Sequence, residues 1–110
     1  MLNQIVLVGR LVRDISVITT DKGKNVANLT LAIPRSFKNY EGLYDTDFID
    51  CTLWDQVASN TASYCKKGDI VGVKGRIESK CYEDKDGSKK YRTEIIAEKV
   101  TFLTSKKADE

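Results

Sequence analysis

The sequence predicts an all-β domain, built as a small barrel of five strands with one short helix. Four segments alternate apolar and polar side chains at the period of two that strands show, a fifth is apolar along nearly its whole length, and one segment has the helical period. That helical segment stands between the third and fourth strand segments. Because a small antiparallel set of strands closes on itself to remove its edges, a barrel is the expected arrangement. The 110 residues, 41% of them hydrophobic, suffice for one domain with one core.

The first predicted strand covers residues 4–11, where nearly every side chain is apolar. Ile5 and Leu7 point to one face and Val6 and Val8 to the other, because successive side chains of a strand alternate. A strand that is apolar on both faces is expected to be covered on both sides.

The second predicted strand covers residues 25–33 and follows a turn at Gly23, a residue that tolerates positive φ. Residues 13–24 before it show no strand periodicity. The alternation along the strand predicts that it is half-buried and antiparallel to its neighbours. Pro34 is expected to end or loosen its pairing, because proline offers no N–H to the ladder. Residues 35–42 then form a polar loop or hairpin arm.

The third predicted strand, residues 46–54, has two different faces. Ile49, Cys51 and Leu53 form a small apolar face that is typical of a core. The opposite face mixes aromatic and polar side chains, namely Phe48, Asp50, Thr52 and Trp54. Two large rings left in water need a partner, so this face is either a ligand platform or the cover of a second layer or subunit contact.

The predicted helix follows the third strand and spans about three turns. Asp55 is its predicted N-cap. One helical face is expected to carry Val57, Ala58, Thr61, Tyr64 and Cys65. Lys66 and Lys67 would lie at the negative end of the helix dipole, and Gly68 would allow a left-handed stop.

The last two predicted strands cover residues 69–79 and 93–103 and are joined by a long charged hairpin over residues 80–92. Gly72 and Gly75 inside a strand indicate bending or a close approach of two backbones. The element order matches a five-stranded Greek-key OB-fold with long hairpin loops. An SH3-like barrel and an open α+β sheet are the alternatives that this order also allows.

Several function classes are excluded by residue types that the sequence lacks. It has no histidine, no CxxC spacing among Cys51, Cys65 and Cys81, and no phosphate-binding glycine pattern. We therefore expect no enzymatic activity, no metal site and no cofactor, and we expect reduced thiols in a cytoplasmic protein. No stretch approaches the roughly 18 apolar residues of a membrane span. The net charge of +2 points to a polyanion partner only if the cations cluster.

Aromatic side chains next to cations are the strongest functional signal. Phe37 lies between Arg35 and Lys38, and Tyr82 follows Lys80. Rings along a cationic groove hold single-stranded nucleic acid with little regard to sequence, because every base has a π-face. For Tyr91, cross-strand pairing within the hairpin is the simpler interpretation.

Five blocks of the sequence, in order, resemble the bacterial single-stranded DNA-binding protein family. They are LNQIVLVGRL at 2–11, VANLTLA at 26–32, DF to LW at 47–54, YCKKG at 64–68, and VKGRI at 73–77 continued to Tyr82. The likeness extends to about residue 103. It implies an OB domain of a bacterial or phage protein that forms homotetramers, commonly as a dimer of dimers. Binding and protection of single-stranded DNA in replication, recombination and repair, within the nucleoid of the cytoplasm, would be its function.

The resemblance implies that Phe37, Phe48, Trp54 and Tyr82 stack on bases. The cations expected to contact phosphates are Arg10, Arg35, Lys38, Lys66, Lys67, Lys74, Arg76, Lys80 and Arg92. A carboxylate on this surface would repel phosphates, so we expect a neighbouring lysine or arginine to neutralise Asp50. A protein-interaction OB module and a single-stranded RNA-binding module are the alternative functions.

The C-terminal residues depart from the family pattern. The DNA-binding domain is expected over residues 1–104 and a charged, disordered tail over 105–110. Family members usually continue into a linker with an acidic tip that recruits replication and repair proteins. This sequence has no such tip, which indicates either a truncated chain or a short paralogue, so docking of those proteins through a tip is not expected.

Overall fold

The computed structural model describes residues 1–104 and contains six strands and one helix. The elements are β1 Ile5–Leu11, β2 Val17–Thr19, β3 Asn25–Lys38, β4 Tyr44–Trp54, α1 Asp55–Tyr64, β5 Ile70–Glu83 and β6 Lys89–Thr104. The predicted tail over 105–110 lies outside the described residues. With ten residues, α1 is too short to cross a bilayer, and no other helix occurs within residues 1–104.

Five of the strands form a closed ring. The sheet order is β1, β5, β6, β4, β3, and β3 pairs again with β1 through Arg10–Ala32 and Leu11–Leu31. The predicted all-β class is thereby confirmed as a closed five-stranded barrel with one short helix, which is the OB-fold. One expectation about pairing was wrong, because β4 and β6 run parallel where they meet at Cys51–Ile95 and Thr52–Ile96.

The barrel interior is filled by the apolar faces of the strands and one face of α1. The fully buried side chains include Leu11, Leu29, Leu31, Cys51, Leu53, Val71 and Val73. Ala58 and Thr61 of α1 are buried against them, whereas Tyr64, predicted for the same helical face, is exposed. Cys51 and Cys65 are buried thiols and Cys81 is an exposed one.

Three strand predictions needed correction. Residues 17–19 form β2, which pairs with β3 although no periodicity indicated a strand there. Pro34 loosens the pairing of β3, as one of the two predicted outcomes, but does not end the strand: the pair Pro34–Thr46 continues the ladder, an irregularity follows, and pairing resumes at Lys38–Tyr44. The outer face of β1 is uncovered within one chain, since Val6 and Val8 are exposed.

The junction between β4 and α1 also differs from the prediction. Asp55 is the first residue of the helix, and the cap position belongs to Trp54, which has extended backbone angles. Asp55 has a φ of 52°, a left-handed value that aspartate tolerates better than most residues. The sharp reversal at this point places Trp54 beside the start of the helix.

Gly75 lies where the backbones of β5 and β6 approach closely. A Cβ at Gly75 would lie 2.0 Å from the carbonyl oxygen of Ile96, next to an irregularity in the β5–β6 pairing. The predicted close approach is therefore confirmed at Gly75. It was wrong at Gly72, where the nearest atom to an added Cβ lies at 3.8 Å, an ordinary contact distance.

Candidate nucleic-acid interface

The mixed face of β4 belongs to the outer surface of the barrel. Cys51 and Leu53 point into the core, so Phe48 and Trp54 point outward. Thr52 adjoins Ile96 in the parallel pair, and Ile96 adjoins Arg76 in the next pair. Strands β4, β6 and β5 therefore share one continuous outer surface.

All four predicted stacking residues are accessible in the single chain. Phe37, Phe48, Trp54 and Tyr82 are 38% to 66% exposed, with Trp54 the least exposed of them. Neither Phe48 nor Trp54 covers a second layer of the chain within residues 1–104. A ring that is already accessible can accept a base without disturbing the core.

The two hairpin tyrosines point to opposite sides. Tyr82 pairs with Lys90 and Tyr91 pairs with Cys81, and side chains directly across an antiparallel ladder share a face. Cys81 and Tyr82 are consecutive, so Tyr82 and Tyr91 lie on opposite faces and do not pair with each other. Tyr82 shares its face with Lys80 and Arg76, two residues and six residues back along β5.

A groove of about 780 Å³ brings Trp54 together with cations from two separate elements. Ile96 lines it beside Trp54, Arg76 and Lys80 extend from β5, and Lys22 and Lys24 come from the turn between β2 and β3. Of the nine predicted phosphate contacts, only Arg76 and Lys80 line this groove.

Lys22 and Lys24 were missed because residues 21–24 were interpreted only as a turn. The signal that could have found them is the pair of lysines on either side of Gly23. Gly23 has a φ of 82° and its N–H donates to the carbonyl of Thr20, so the turn is tight and holds both lysines at one edge of the groove.

The groove is also lined by carboxylates, and two of them, Glu78 and Glu98, form ion pairs with Arg76 and Lys80. Arg76 donates to Glu78 Oε2 from Nη2 at 2.7 Å and from Nε at 3.0 Å, and to Glu98 Oε2 at 3.1 Å. Lys80 Nζ lies 2.9 Å from Glu78 Oε1. Hydrogen bonds from Lys80 and Arg76 lower the pKa of the Glu78 carboxyl below its ordinary value.

Arg35 also forms ion pairs with carboxylates, on the β3–β4 hairpin. Its Nε and Nη2 donate to Asp47 at 3.0 to 3.2 Å, and its Nη1 lies 3.8 Å from Asp45 Oδ2. The hydrogen bond from Arg35 lowers the pKa of the Asp47 carboxyl. On the same hairpin, Lys38 Nζ lies 5.7 Å from the centre of the Tyr44 ring.

The other predicted cations are spread over the barrel. Arg10 donates to the carbonyl of Gly68 at 2.7 Å and, with Lys67, borders a separate hollow. Lys66 and Lys67 are exposed just after α1. Lys74 pairs with Val6 on the exposed face of β1, and Arg92 lies 3.9 Å from Glu94 on the last hairpin.

The expectation for Asp50 was wrong. Its partner is a hydroxyl, because Thr30 Oγ1 donates to Asp50 Oδ1 at 2.5 Å. Among the ion pairs within residues 1–104, none involves Asp50. This carboxylate, which lies on the same outer face as Phe48 and Trp54, is therefore not offset by a neighbouring cation within residues 1–104.

Comparison with known proteins assigns the family. The model of the Single-strand binding protein family matches residues 2–103. Single-stranded DNA-binding protein B of Bacillus subtilis is 48% identical over 106 residues, covering 96% of this chain and 94% of the relative. Single-stranded DNA-binding protein 3 of Listeria innocua is 48% identical, and a single-stranded DNA-binding protein of Oceanobacillus iheyensis is 47% identical. The chain spans 66% of the length of each of these two. The chain belongs to the single-strand binding protein family.

Proposed function

We propose that the protein binds single-stranded DNA without strong sequence preference and protects transient single strands during replication, recombination and repair. The observation that carries this proposal is the groove in which Trp54 lies beside Arg76, Lys80, Lys22 and Lys24. A ring next to cations fits a strand whose bases are unstacked and whose phosphates follow the groove. The relatives named above carry single-stranded DNA binding in their names.

The binding chemistry requires only side chains of this chain. Bases stack on Trp54, Phe48, Phe37 and Tyr82, each stack contributing about 1 to 3 kcal/mol. Lysine and arginine side chains contact the phosphates and release the cations that are condensed on the DNA. Neither a metal nor a nucleotide takes part, and no bond is made or broken.

We further propose that the protein acts as a homotetramer, a dimer of dimers, within the nucleoid of the cytoplasm. Val6 and Val8 on the outer face of β1 are exposed in the single chain. Within residues 1–104, β1 pairs with β3 only through Arg10 and Leu11, and Gly9 packs against β3, so the edge formed by residues 5–8 is open on that side. An apolar face beside an open strand edge is suited to a second copy of the chain. Light scattering after size exclusion is expected to give four times the 12.4 kDa of one chain, and a mass of one chain at micromolar concentration would contradict the tetramer.

A competition experiment tests the proposed ligand class. A fluorescent dT oligomer is bound at low salt, and its anisotropy is followed as unlabelled single-stranded DNA, matched RNA or duplex of equal length is added. Single-stranded DNA should displace the probe at the lowest concentration, and the duplex at the highest, because pairing hides the π-faces that the rings need. Equal displacement by duplex would contradict the stacking mechanism, and stronger displacement by RNA would assign the alternative single-stranded RNA-binding function.

A further inference from the structure

Glu78 connects two groove cations through separate oxygens. Its Oε2 accepts from Arg76 Nη2 at 2.7 Å and its Oε1 lies 2.9 Å from Lys80 Nζ. The three residues alternate along β5 at positions 76, 78 and 80, so all three side chains lie on one face of the strand. A carboxylate that bridges a guanidinium and an ammonium uses the same donors that a phosphate would use.

The bridge is accessible from the groove. Arg76, Glu78 and Lys80 all line the hollow that contains Trp54, and all three side chains are partly exposed. A base stacked on Trp54 would therefore bring its phosphate to donors that Glu78 already occupies. With Glu98 also bound to Arg76, the two cations face two carboxylates, and their local charges sum to zero.

We infer that Glu78 is an internal competitor for phosphate, which occupies Arg76 and Lys80 in the free protein and must be displaced when single-stranded DNA enters the groove. This inference rests on the proposed function and concerns the strength and the salt dependence of binding. The displacement weakens binding, because part of the attraction between phosphate and cation replaces an existing ion pair. It also makes the salt dependence shallower than the number of groove cations would suggest, since the negative charge of Glu78 stays beside the bound phosphate and offsets part of the positive charge of the groove.

The test replaces the carboxylate of Glu78 by an uncharged amide of nearly the same shape. Binding of a dT oligomer is measured over a series of salt concentrations for the wild type and for Glu78→Gln. Glu78→Gln should bind the dT oligomer about two- to five-fold more tightly than the wild type at low salt, because an exposed ion pair no longer has to be broken. Removing the one negative charge of Glu78 should steepen the slope of log K against log salt by about 0.7, because Lys80 loses its partner while Arg76 remains paired with Glu98.

Two further variants grade the effect and control for charge. Glu98→Gln removes one partner of Arg76, which keeps two hydrogen bonds to Glu78, so its slope should steepen by less than that of Glu78→Gln. Glu83→Gln changes the net charge equally on the same hairpin, but Glu83 has no ion pair within residues 1–104, so its slope should match the wild type. Thermal unfolding checks that each variant is folded.

Four results would overturn the inference. Equal changes for Glu78→Gln and Glu83→Gln would indicate a general charge effect. Weaker binding by Glu78→Gln would mean that Glu78 orients Arg76 and Lys80 for DNA. Tight binding by the wild type with no change in Glu78→Gln would reject the competitor and leave the proposed function intact, whereas absence of binding by the wild type and every variant would reject both.

Discussion

The hydroxyl of Thr30 donates a hydrogen bond of 2.5 Å to the carboxylate of Asp50 directly across the β3–β4 ladder. Thr30 is buried, while Asp50 is exposed on the outer face between Phe48 and Trp54. A hydroxyl satisfies the carboxylate without neutralising it. The proposed DNA surface therefore includes a negative charge that a bound strand must avoid or accommodate.

Removing this hydroxyl should lower stability by a modest amount. Thr30→Val keeps the shape of the side chain but takes away the donor, so the free energy of unfolding should fall by about 1 kcal/mol. Thr30→Ser retains the donor and should keep the bond while losing one methyl group. Urea unfolding of both variants measures the difference, and equal stability of Thr30→Val and wild type would show that the bond contributes nothing.

Replacing the two hairpin tyrosines should separate stacking from general surface effects. Tyr82 shares a face with Arg76 and Lys80, whereas Tyr91 lies on the opposite face. Tyr82→Ala should weaken binding of a dT oligomer by about 1 kcal/mol or more, the value of one lost stack. Tyr91→Ala should bind as the wild type does. Anisotropy titrations under one salt condition compare them, and equal losses would contradict the assignment of the binding face.

Two glycines of β5 provide a matched test of the backbone contact between β5 and β6. At Gly75 an added Cβ would meet the Ile96 carbonyl oxygen at 2.0 Å, whereas at Gly72 the nearest atom is 3.8 Å away. Gly75→Ala should destabilise the protein by about 1 to 3 kcal/mol or more, because the strand must shift. Gly72→Ala should change stability by well under that amount. Chemical denaturation gives both values, and a tolerated Gly75→Ala would contradict the close approach.

The barrel could be predicted because its core strands carry strong local alternation. Leu29 and Leu31 in β3 and Cys51 and Leu53 in β4 alternate with outward residues, and that pattern is visible in the sequence. Strand β2 was not predicted because its three residues are all exposed, so its sequence shows no alternation between a buried and an exposed face. The parallel contact of β4 with β6 depends on how the ring closes, which periodicity does not report.

The outward orientation of the aromatic side chains could be predicted, but the charge pairing between different strands could not. Whether a ring points outward follows from local alternation, as at Phe48 and Trp54. Which charge meets which depends on strands that are distant in sequence: Glu98 is 22 residues from Arg76, and Thr30 is 20 residues from Asp50. These partners become neighbours only when the strands pair, so the sequence alone does not predict them.

Stability at high pH should depend on Cys51. Its thiol is buried in the core, and desolvation by burial, followed by the charge of Asp50, raises its pKa from 9.0 to about 11. Between about pH 9 and pH 11 the thiol stays protonated in the folded protein but ionises in the unfolded chain. The contribution of Cys51 to the free energy of unfolding is therefore complete below about pH 9 and is lost as the pH rises to about 11.

The variant Cys51→Ala isolates this effect from the titration of other groups. Two pKa units correspond to about 2.7 kcal/mol, so the loss of unfolding free energy between pH 8 and pH 11 should be larger in the wild type by an amount of that order. Urea unfolding at several pH values supplies both curves. Parallel curves for the two proteins would show that the thiol does not control the loss.

The central claim, that Trp54 stacks on single-stranded DNA in the cation-lined groove, has a direct optical test. The chain contains a single tryptophan, so its intrinsic tryptophan fluorescence reports on Trp54 alone. Titration with dT oligomers of increasing length at low salt should quench this fluorescence to saturation, and added salt should reverse the quenching. Unchanged fluorescence at low salt with every oligomer would contradict the claim.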